Sequence, residues 1–398
     1  MGWSSMDPYI DPERLDSLHP LHARKLDNLR RGDAAHRARE EILDALPVKL
    51  TLQTTDVCNL DCPHCQIPRA QKTARMDEQV LERVVAELFP TLIELHPTNL
   101  GEPLTWPLFS RLCLEMARHG VLLDLSTNGT LLTPERMAWL HPIARDIKVS
   151  FDGASRDTFE RFRRGARFDS VCANVRQLVR ALEDAPARPT VSLQMTLMRS
   201  NYRELPSLVR LAAELGAHRV KAYHLFSFTE QMDEESLMHD LSAWPPVLEE
   251  AVRAGESLGV ELQCAEPEAV TVAAALAATT CHLPWHEAWV DVDGAVLACH
   301  SHGGEAAGNI LAESFAQIWN GPLYRRIRKG FATGRLEWNC DGCGMNCQKS
   351  TEHESVPYDP ENFLSRTWRQ LHPERSGSPV RWSGRMRQFD LKGRRHGR

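Results

Sequence analysis

The sequence predicts an α/β fold: a partial (β/α)6 TIM-like barrel followed by a small cysteine-rich unit. Three observations predict it. Six short apolar runs between residues 48 and 226 each end in a polar turn. Helical patterns separate these runs, and strands that alternate with helices build a parallel sheet. The clustered cysteines lie at the end of the first run and again beyond residue 280, outside the repeat.

Taken in order, residues 1–47 read as a polar, helical N-terminal extension ("HARKLDNLRRGDAAHRAREEILDAL"). The barrel is expected over 48–266. Its first strand, "VKLTLQTTDVC" (48–58), alternates apolar and polar residues. "TLIELHPTNLGEPL" (91–104), "GVLLDLSTNGT" (120–130), "DIKVSFDG" (146–153), "PTVSLQMTLM" (189–198) and "HRVKAYHLF" (218–226) supply the next five. Helical periodicity runs through 77–88, 107–119, 134–140, 155–184, 202–215 and 245–258, and "GVELQCAEP" (259–267) adds a last short strand. The second unit is placed at 267–350. It holds a hairpin over 281–300 turning at "DVDG", a helix with its continuation over 308–331, and "CDGCGMNC". Residues 351–398 read as a basic tail.

Composition narrows the function classes. A chain of 398 residues, 42% apolar and 25% charged, is an ordinary globular protein with room for one large and one small domain. No apolar run is long enough to span a bilayer. The start "MGWSSMDPYIDPERLD" lacks the apolar centre of a signal peptide, and Met6 stands where a myristoylation signal has Ser or Thr. A cytoplasmic location without membrane attachment is therefore expected. In a reducing compartment, clustered cysteines mean metal or catalysis before disulfides. Eight of the eleven cysteines are clustered, while Cys113 and Cys172 read as small buried hydrophobes. Net charge is −6, yet ten Arg and Lys face two acids between Phe363 and Arg398. Without a zinc-finger or RNA-binding signature this end reads as a solvated tail or a strap, and no nucleic-acid partner is expected.

The chemistry concentrates in "CNLDCPHC". Cys58, Cys62 and Cys65 are spaced C-x3-C-x2-C at a strand end, a pattern that suits iron–sulfur or zinc. A structural zinc closes its shell, and His64 is the one nearby candidate for a fourth ligand. A four-iron cluster held by three cysteines keeps one iron open, which is useful when something binds there.

The motifs at the following strand ends resemble those of the radical S-adenosylmethionine (SAM) superfamily, over about residues 48–350. "LGEPL" is similar to the family's Gly-Glu-Pro segment, with Leu100 where a first Gly is frequent. "STNGT" follows the third strand, "SFDG" the fourth, and "FRRGARF" (162–168) resembles the family's basic turn. The resemblance implies a [4Fe–4S] cluster on Cys58, Cys62 and Cys65 whose open iron takes SAM. It further implies Gly101 and Glu102 near the methionine amino group, and Ser126 and Asn128 near its carboxylate and ribose. Ser150 and Asp152 would accept from ribose hydroxyls, Arg163 would face the carboxylate, and His64 takes the family's aromatic position near adenine.

Cys281, Gly294 and Cys299, spaced C-x12-G-x4-C, resemble the opening of the SPASM/twitch domain, which holds auxiliary clusters. With Cys340, Cys343 and Cys347 the chain offers five cysteines where four are needed, so one auxiliary [4Fe–4S] cluster is expected. A structural zinc aided by His282, His300 or His353 is the alternative. The expected function is reductive cleavage of SAM to a 5′-deoxyadenosyl radical that abstracts a substrate hydrogen. Only about 47 residues precede the first strand, too few for a winged-helix leader-recognition domain. That favours oxidation or epimerisation of a sugar or aminocyclitol-type substrate over crosslinking, oxidation or epimerisation of a peptide. A flavodoxin or ferredoxin is the expected reductant. A non-catalytic electron carrier or a zinc-stabilised binding protein is the reading from another class. Cys264, at the end of the last short strand, is the candidate hydrogen donor for an epimerase.

Overall fold

The computed structural model describes residues 21–66, 72–225, 227, 229–239, 242–266, 281–299, 305–336, 340 and 385–388. Cys343, Cys347, His300, His353 and most of the basic tail lie outside them.

Seven parallel strands form the body of the sheet: β1 (Lys49–Leu52), β2 (Glu94–His96), β3 (Leu122–Thr127), β4 (Ala144–Ser150), β5 (Thr190–Leu197), β6 (Arg219–His224) and β7 (Glu261–Glu266). They stand side by side in chain order, and the sheet does not close on itself. The crossovers are α2 (Glu78–Leu88), α3 (Phe109–His119), α4 (Pro134–Leu140), α5 (Arg156–Phe162), α6 (Phe168–Ala181), α7 (Leu205–Leu215), the short α8 (Glu230–Glu234) and α9 (Trp244–Leu258), preceded by an N-terminal α1 (His22–Ala38). Where one helical pattern was expected over 155–184 there are two helices. The chain breaks at Gly165, whose φ of +98° suits a residue without a side chain.

The hairpin is present as β8 (Glu287–Val290) and β9 (Ala295–Leu297), after a short α10 (Leu283–His286). It does not stand apart from the barrel. β8 pairs parallel with β1, from Lys49 opposite Glu287 to Leu52 opposite Val290, so the barrel sheet continues directly into the second unit. A strand, β10 (Ala306–Asn309), occupies the stretch where a helix was expected to begin, and α11 (Phe315–Trp319) and α12 (Pro322–Thr333) follow. On the opposite edge β11 (Arg385–Gln388), from the expected tail, pairs antiparallel with β7.

Strand alternation sorts the side chains. Leu123 and Leu125 of β3, Val191, Leu193 and Met195 of β5, and Val220 and Ala222 of β6 are buried in one apolar cluster with the crossover helices. Their neighbours on the other face form a chain of ion pairs across the sheet. Lys49 meets Glu94 at 3.3 Å, and Glu94 also meets Arg145. Asp124 pairs with His96 and Lys148; Asp146 pairs with Lys221 at 3.0 Å and with Arg219, which reaches Glu261 at 2.7 Å. Burial would raise the Asp124 carboxyl, but Lys148 and His96 hold it well below the usual range. The concave face is therefore polar and internally neutralised, unlike the branched apolar filling of a closed barrel.

The N-terminal extension is built into the second unit. Trp285 Nε1 donates to Glu40 O at 3.0 Å and Trp319 Nε1 to Ala45 O at 3.0 Å. Leu43 exchanges two hydrogen bonds with the Asn320 side chain. Arg328, with no exposed surface, donates to Pro284 O, Glu41 O and Trp319 O, and its guanidinium lies 4.5 Å from the Trp319 ring centroid.

Candidate active site

The polar turns after β1 to β5 come together at the C-terminal edge of the sheet. The cysteine loop leaves β1 and is tied down on both sides. Asp61 N donates to Arg164 O at 3.0 Å on one side, and Glu102 N donates to Val57 O at 2.9 Å on the other. Gly101 has φ +79°, and a Cβ there would lie 2.6 Å from the Asp56 carbonyl carbon. Glycine is thus required for the Gly-Glu-Pro turn to lie against the root of the cysteine loop. Gln53 locks the same contact: its Oε1 accepts from Asn99 N and Leu100 N, and its Nε2 donates to Leu100 O and Thr55 O.

Each of the three thiols has its own donor. Leu60 N–H donates to Cys58 Sγ at 3.4 Å, with Asn128 Nδ2 at 3.9 Å. Arg163 Nη1 stands 3.9 Å from Cys62 Sγ, and Lys72 Nζ lies 2.9 Å from Cys65 Sγ. Burial pushes the Cys58 and Cys62 thiols up. Arg163 works against this at Cys62, while Asp152 and the charges of Cys58 and Cys65 add to it. No three Cys, His, Asp or Glu side chains among the described residues already converge on a point that would hold a metal ion. The thiols are instead within electrostatic reach of one another on one short loop. Three thiols, each facing an N–H or a cation, suit an iron–sulfur cluster, whose bound thiolates are anionic.

Glu102 was expected to accept from a ligand or to brace its turn. Its carboxylate accepts from Leu104 N at 3.3 Å, Thr127 Oγ1 at 2.8 Å and Asn128 N at 2.7 Å, and it is 1% exposed. It joins the second strand end to the third. Asn128 is also engaged: its amide donates to Asn59 Oδ1 at 2.8 Å and accepts from Thr130.

Asp152 departs furthest from its expected part as an acceptor for ribose. It has no exposed surface and is a hub. Oδ2 lies 2.6 Å from Arg163 Nε and 3.0 Å from His64 Nε2, and Oδ1 accepts from Thr196 N at 2.8 Å. Burial alone would raise its carboxyl, but Arg163 and His64 outweigh it and hold the group well below the usual carboxylate range. His64 packs edge-on against Phe162 with centroids 5.9 Å apart, and its buried Nδ1 has no hydrogen-bond partner among the described residues. Ser126 and Ser150, half-buried at the ends of β3 and β4, remain as hydroxyls outside these networks.

Cys264 is not brought to this site. It is 2% exposed and lies opposite Ala222 in the apolar cluster beneath the helices, in phase with Leu262 and Val220. The concave face instead receives Glu261 and Gln263, which stand opposite Arg219 and Lys221. In the second unit Cys281 and Cys340 pack at the margin of the core and Cys299 is half-buried beyond β9. The Arg39 guanidinium is within electrostatic reach of Cys281 and lies 5.6 Å from the Trp285 ring centroid. His282, one zinc candidate, holds Glu287 at 3.1 Å. Lys72, Gln53, Asn59 and Thr127 had not been singled out from the sequence. Asn59 and Thr127 lie within the motifs "CNLDCPHC" and "STNGT", whereas Lys72 and Gln53 belong to none; Lys72, Gln53 and Thr127 are polar residues buried at strand ends or loop roots.

An open parallel sheet with a three-cysteine loop at its C-terminal edge and cysteines flanking an added hairpin is the arrangement of an α/β protein built to carry iron–sulfur clusters. The family profile described as "Radical SAM superfamily" matches residues 52–212, and that of an "Iron-sulfur cluster-binding domain", SPASM, matches 281–347. The chain belongs to the radical SAM superfamily and carries a C-terminal SPASM domain. With these domains come a [4Fe–4S] cluster, SAM and an auxiliary cluster. Among similar proteins, the AdoMet-dependent heme synthase of Methanosarcina barkeri is 28% identical, over 78% of this chain and 96% of its own. The mycofactocin maturase MftC of Mycobacterium tuberculosis is 26% identical, over 80% and 83%. The PqqA peptide cyclase of Gluconobacter oxydans is 27% identical, over 77% and 87%. The crystal structure of Streptococcus suis SuiB bound to precursor peptide SuiA shares the fold, with a TM-score of 0.59 at 14% identity over 77% of this chain and 72% of that one. No described helix is long and apolar enough to cross a membrane.

Proposed function

We propose that Cys58, Cys62 and Cys65 hold the [4Fe–4S] cluster, that SAM completes it, and that the enzyme abstracts a hydrogen atom from a peptide substrate. The observation that carries the site assignment is the separate N–H or cationic donor at each thiol, because such donors stabilise thiolates and tune clusters. Once bound, cluster and SAM supply the reducing electron and the 5′-deoxyadenosyl radical; the protein supplies position and exclusion of water.

The chain's own residues have separable tasks. Glu102 holds the turns after β2 and β3 in register, and Gly101 lets the first of them lie on the cysteine loop. Asp152 fixes Arg163 and His64, so that the guanidinium faces Cys62 and the imidazole forms the wall beside Phe162. Arg163 remains the cation for the SAM carboxylate, and Ser126, Ser150 and Asn128 offer polar groups toward its ribose. Cys281, Cys299 and Cys340, with Cys343 or Cys347, hold the auxiliary cluster. A flavodoxin- or ferredoxin-type protein delivers the electron.

The peptide assignment is supported by the PqqA peptide cyclase, whose name specifies a peptide substrate, and is in keeping with the mycofactocin maturase, whose name specifies maturation of a product. The sugar or aminocyclitol substrate first expected has no comparable support, and epimerisation through Cys264 has the thiol on the wrong face of the sheet. The test is to supply reduced, reconstituted enzyme and SAM with synthetic peptides translated from the short open reading frames next to the gene and, in parallel, with sugar phosphates and aminocyclitols. The expected result is a peptide product lighter by the lost hydrogens, formed together with 5′-deoxyadenosine. An unchanged peptide beside a turned-over sugar phosphate or aminocyclitol would reverse the assignment.

A further inference from the structure

Among the three thiol donors, Lys72 differs from the others in charge balance. The Arg163 charge is already matched by Asp152 at 2.6 Å, and Leu60 offers a neutral N–H. Lys72 is 8% exposed, and its Nζ lies 2.9 Å from Cys65 Sγ. No carboxylate among the described residues stands within ion-pair distance of it. Its attraction extends to Cys58 as well.

Its position is built, not incidental. The segment after Lys72 runs back along the root of the cysteine loop. Asp56 N donates to Ala74 O at 3.2 Å, Ala74 N to Asp56 Oδ1 at 2.7 Å, and Met76 N to Thr54 O at 2.8 Å. Thr55 Oγ1 donates to Ala74 O at 2.9 Å, and Thr55 bridges Arg75 antiparallel. These ties hold the backbone that follows Lys72 against the root of the cysteine loop.

We infer that Lys72 is a positioning residue of the SAM-site cluster: it donates to the Cys65 thiolate and sets the cluster's reduction potential. The inference rests on the reading that Cys65 is a ligand. Reduction adds negative charge to the cluster, and an unneutralised ammonium hydrogen-bonded to one of its sulfurs favours the reduced form more than the oxidised one. The lysine therefore makes the electron that drives SAM cleavage easier to accept.

The test is an EPR-monitored redox titration of anaerobically reconstituted, full-length protein, following the signal that changes on addition of SAM. Lys72→Met is expected to move its midpoint to more negative potential while leaving iron content and the SAM-insensitive auxiliary signal unchanged. Lys72→Arg is expected to return the midpoint toward the native value. A Lys72→Met midpoint equal to the native one would overturn the inference. Should Lys72→Met fail to retain the SAM-site iron, Lys72→Arg must retain it, and loss in both variants overturns the inference as well. Cys65→Ala separates the two readings. Persistence of the SAM-responsive signal in that variant would remove Cys65 as a ligand; its loss there, with an unmoved Lys72→Met midpoint, would remove the role of Lys72 alone.

Discussion

Replacing Glu102 by Gln tests how the strand-end turns are held. Glu102 is fully enclosed, and burial pushes its carboxyl from the ordinary 4.5 up to about 6, against the pull of Asn128 N–H, Thr127 O–H and Leu104 N–H. A folded pKa above the unfolded one means that the folded state binds the proton more tightly. The associated stability is fully present below pH 4.5 and is lost as pH rises through 6. The 1.5-unit difference corresponds to about 2 kcal/mol. Glutamine cannot titrate, but its amide leaves one of the three donors without an acceptor, at about 1–3 kcal/mol. The native protein should therefore exceed Glu102→Gln in stability by about 1–3 kcal/mol at pH 4, with the advantage shrinking by about 2 kcal/mol by pH 7. Urea unfolding of both proteins without cofactor, at half-unit pH steps, measures the difference directly. An advantage that is flat or grows with pH would refute the reasoning, because it would mean that the three donors outweigh burial.

Other outcomes follow from the same contacts. Arg328→Met should cost about 2–4 kcal/mol, because the carbonyls of Pro284, Glu41 and Trp319 lose their donor, and hydrogen exchange should quicken in residues 39–46. Burial, with the neighbouring His282 and His36 adding to it, lowers His286 from 6.5 to about 3, so the unfolded state binds the extra proton first. Stability should fall as pH drops from 6.5 toward 3, and His286→Phe should flatten that slope in an acid titration followed by circular dichroism. Cys264→Ala should leave 5′-deoxyadenosine formation and product stereochemistry unchanged while lowering stability by about 1 kcal/mol, as a small buried truncation does. Loss of product with intact SAM cleavage would return Cys264 to the chemistry.

The barrel was legible because each of its strands is short, apolar and stopped by a turn, which local sequence expresses well. β10 was not: Ala306–Asn309 has little intrinsic strand preference and is extended because β9 pairs with it. The parallel pairing of β8 with β1 joins segments far apart in the chain, and no periodicity announces it. At the site, residue identity was readable but direction was not. Asp152 sits in a motif, yet it points at Arg163 and His64 inside the protein. Cys264 carried a usable signal. Val260, Leu262 and Cys264 share one alternating apolar phase while Glu261 and Gln263 share the other, which assigns the thiol to the helix side. Lys72 and Gln53 gave none, since their roles depend on a loop folding back across the root of another.

The most direct measurement is SAM cleavage by reduced, reconstituted protein in which Cys58, Cys62 and Cys65 are all replaced by Ala. The native chain should convert SAM to methionine and 5′-deoxyadenosine and hold about eight irons, the content of two four-iron clusters. The triple variant should hold about half that iron, in the auxiliary site, and form no 5′-deoxyadenosine. Cleavage that persists in the triple variant would contradict the account at its centre.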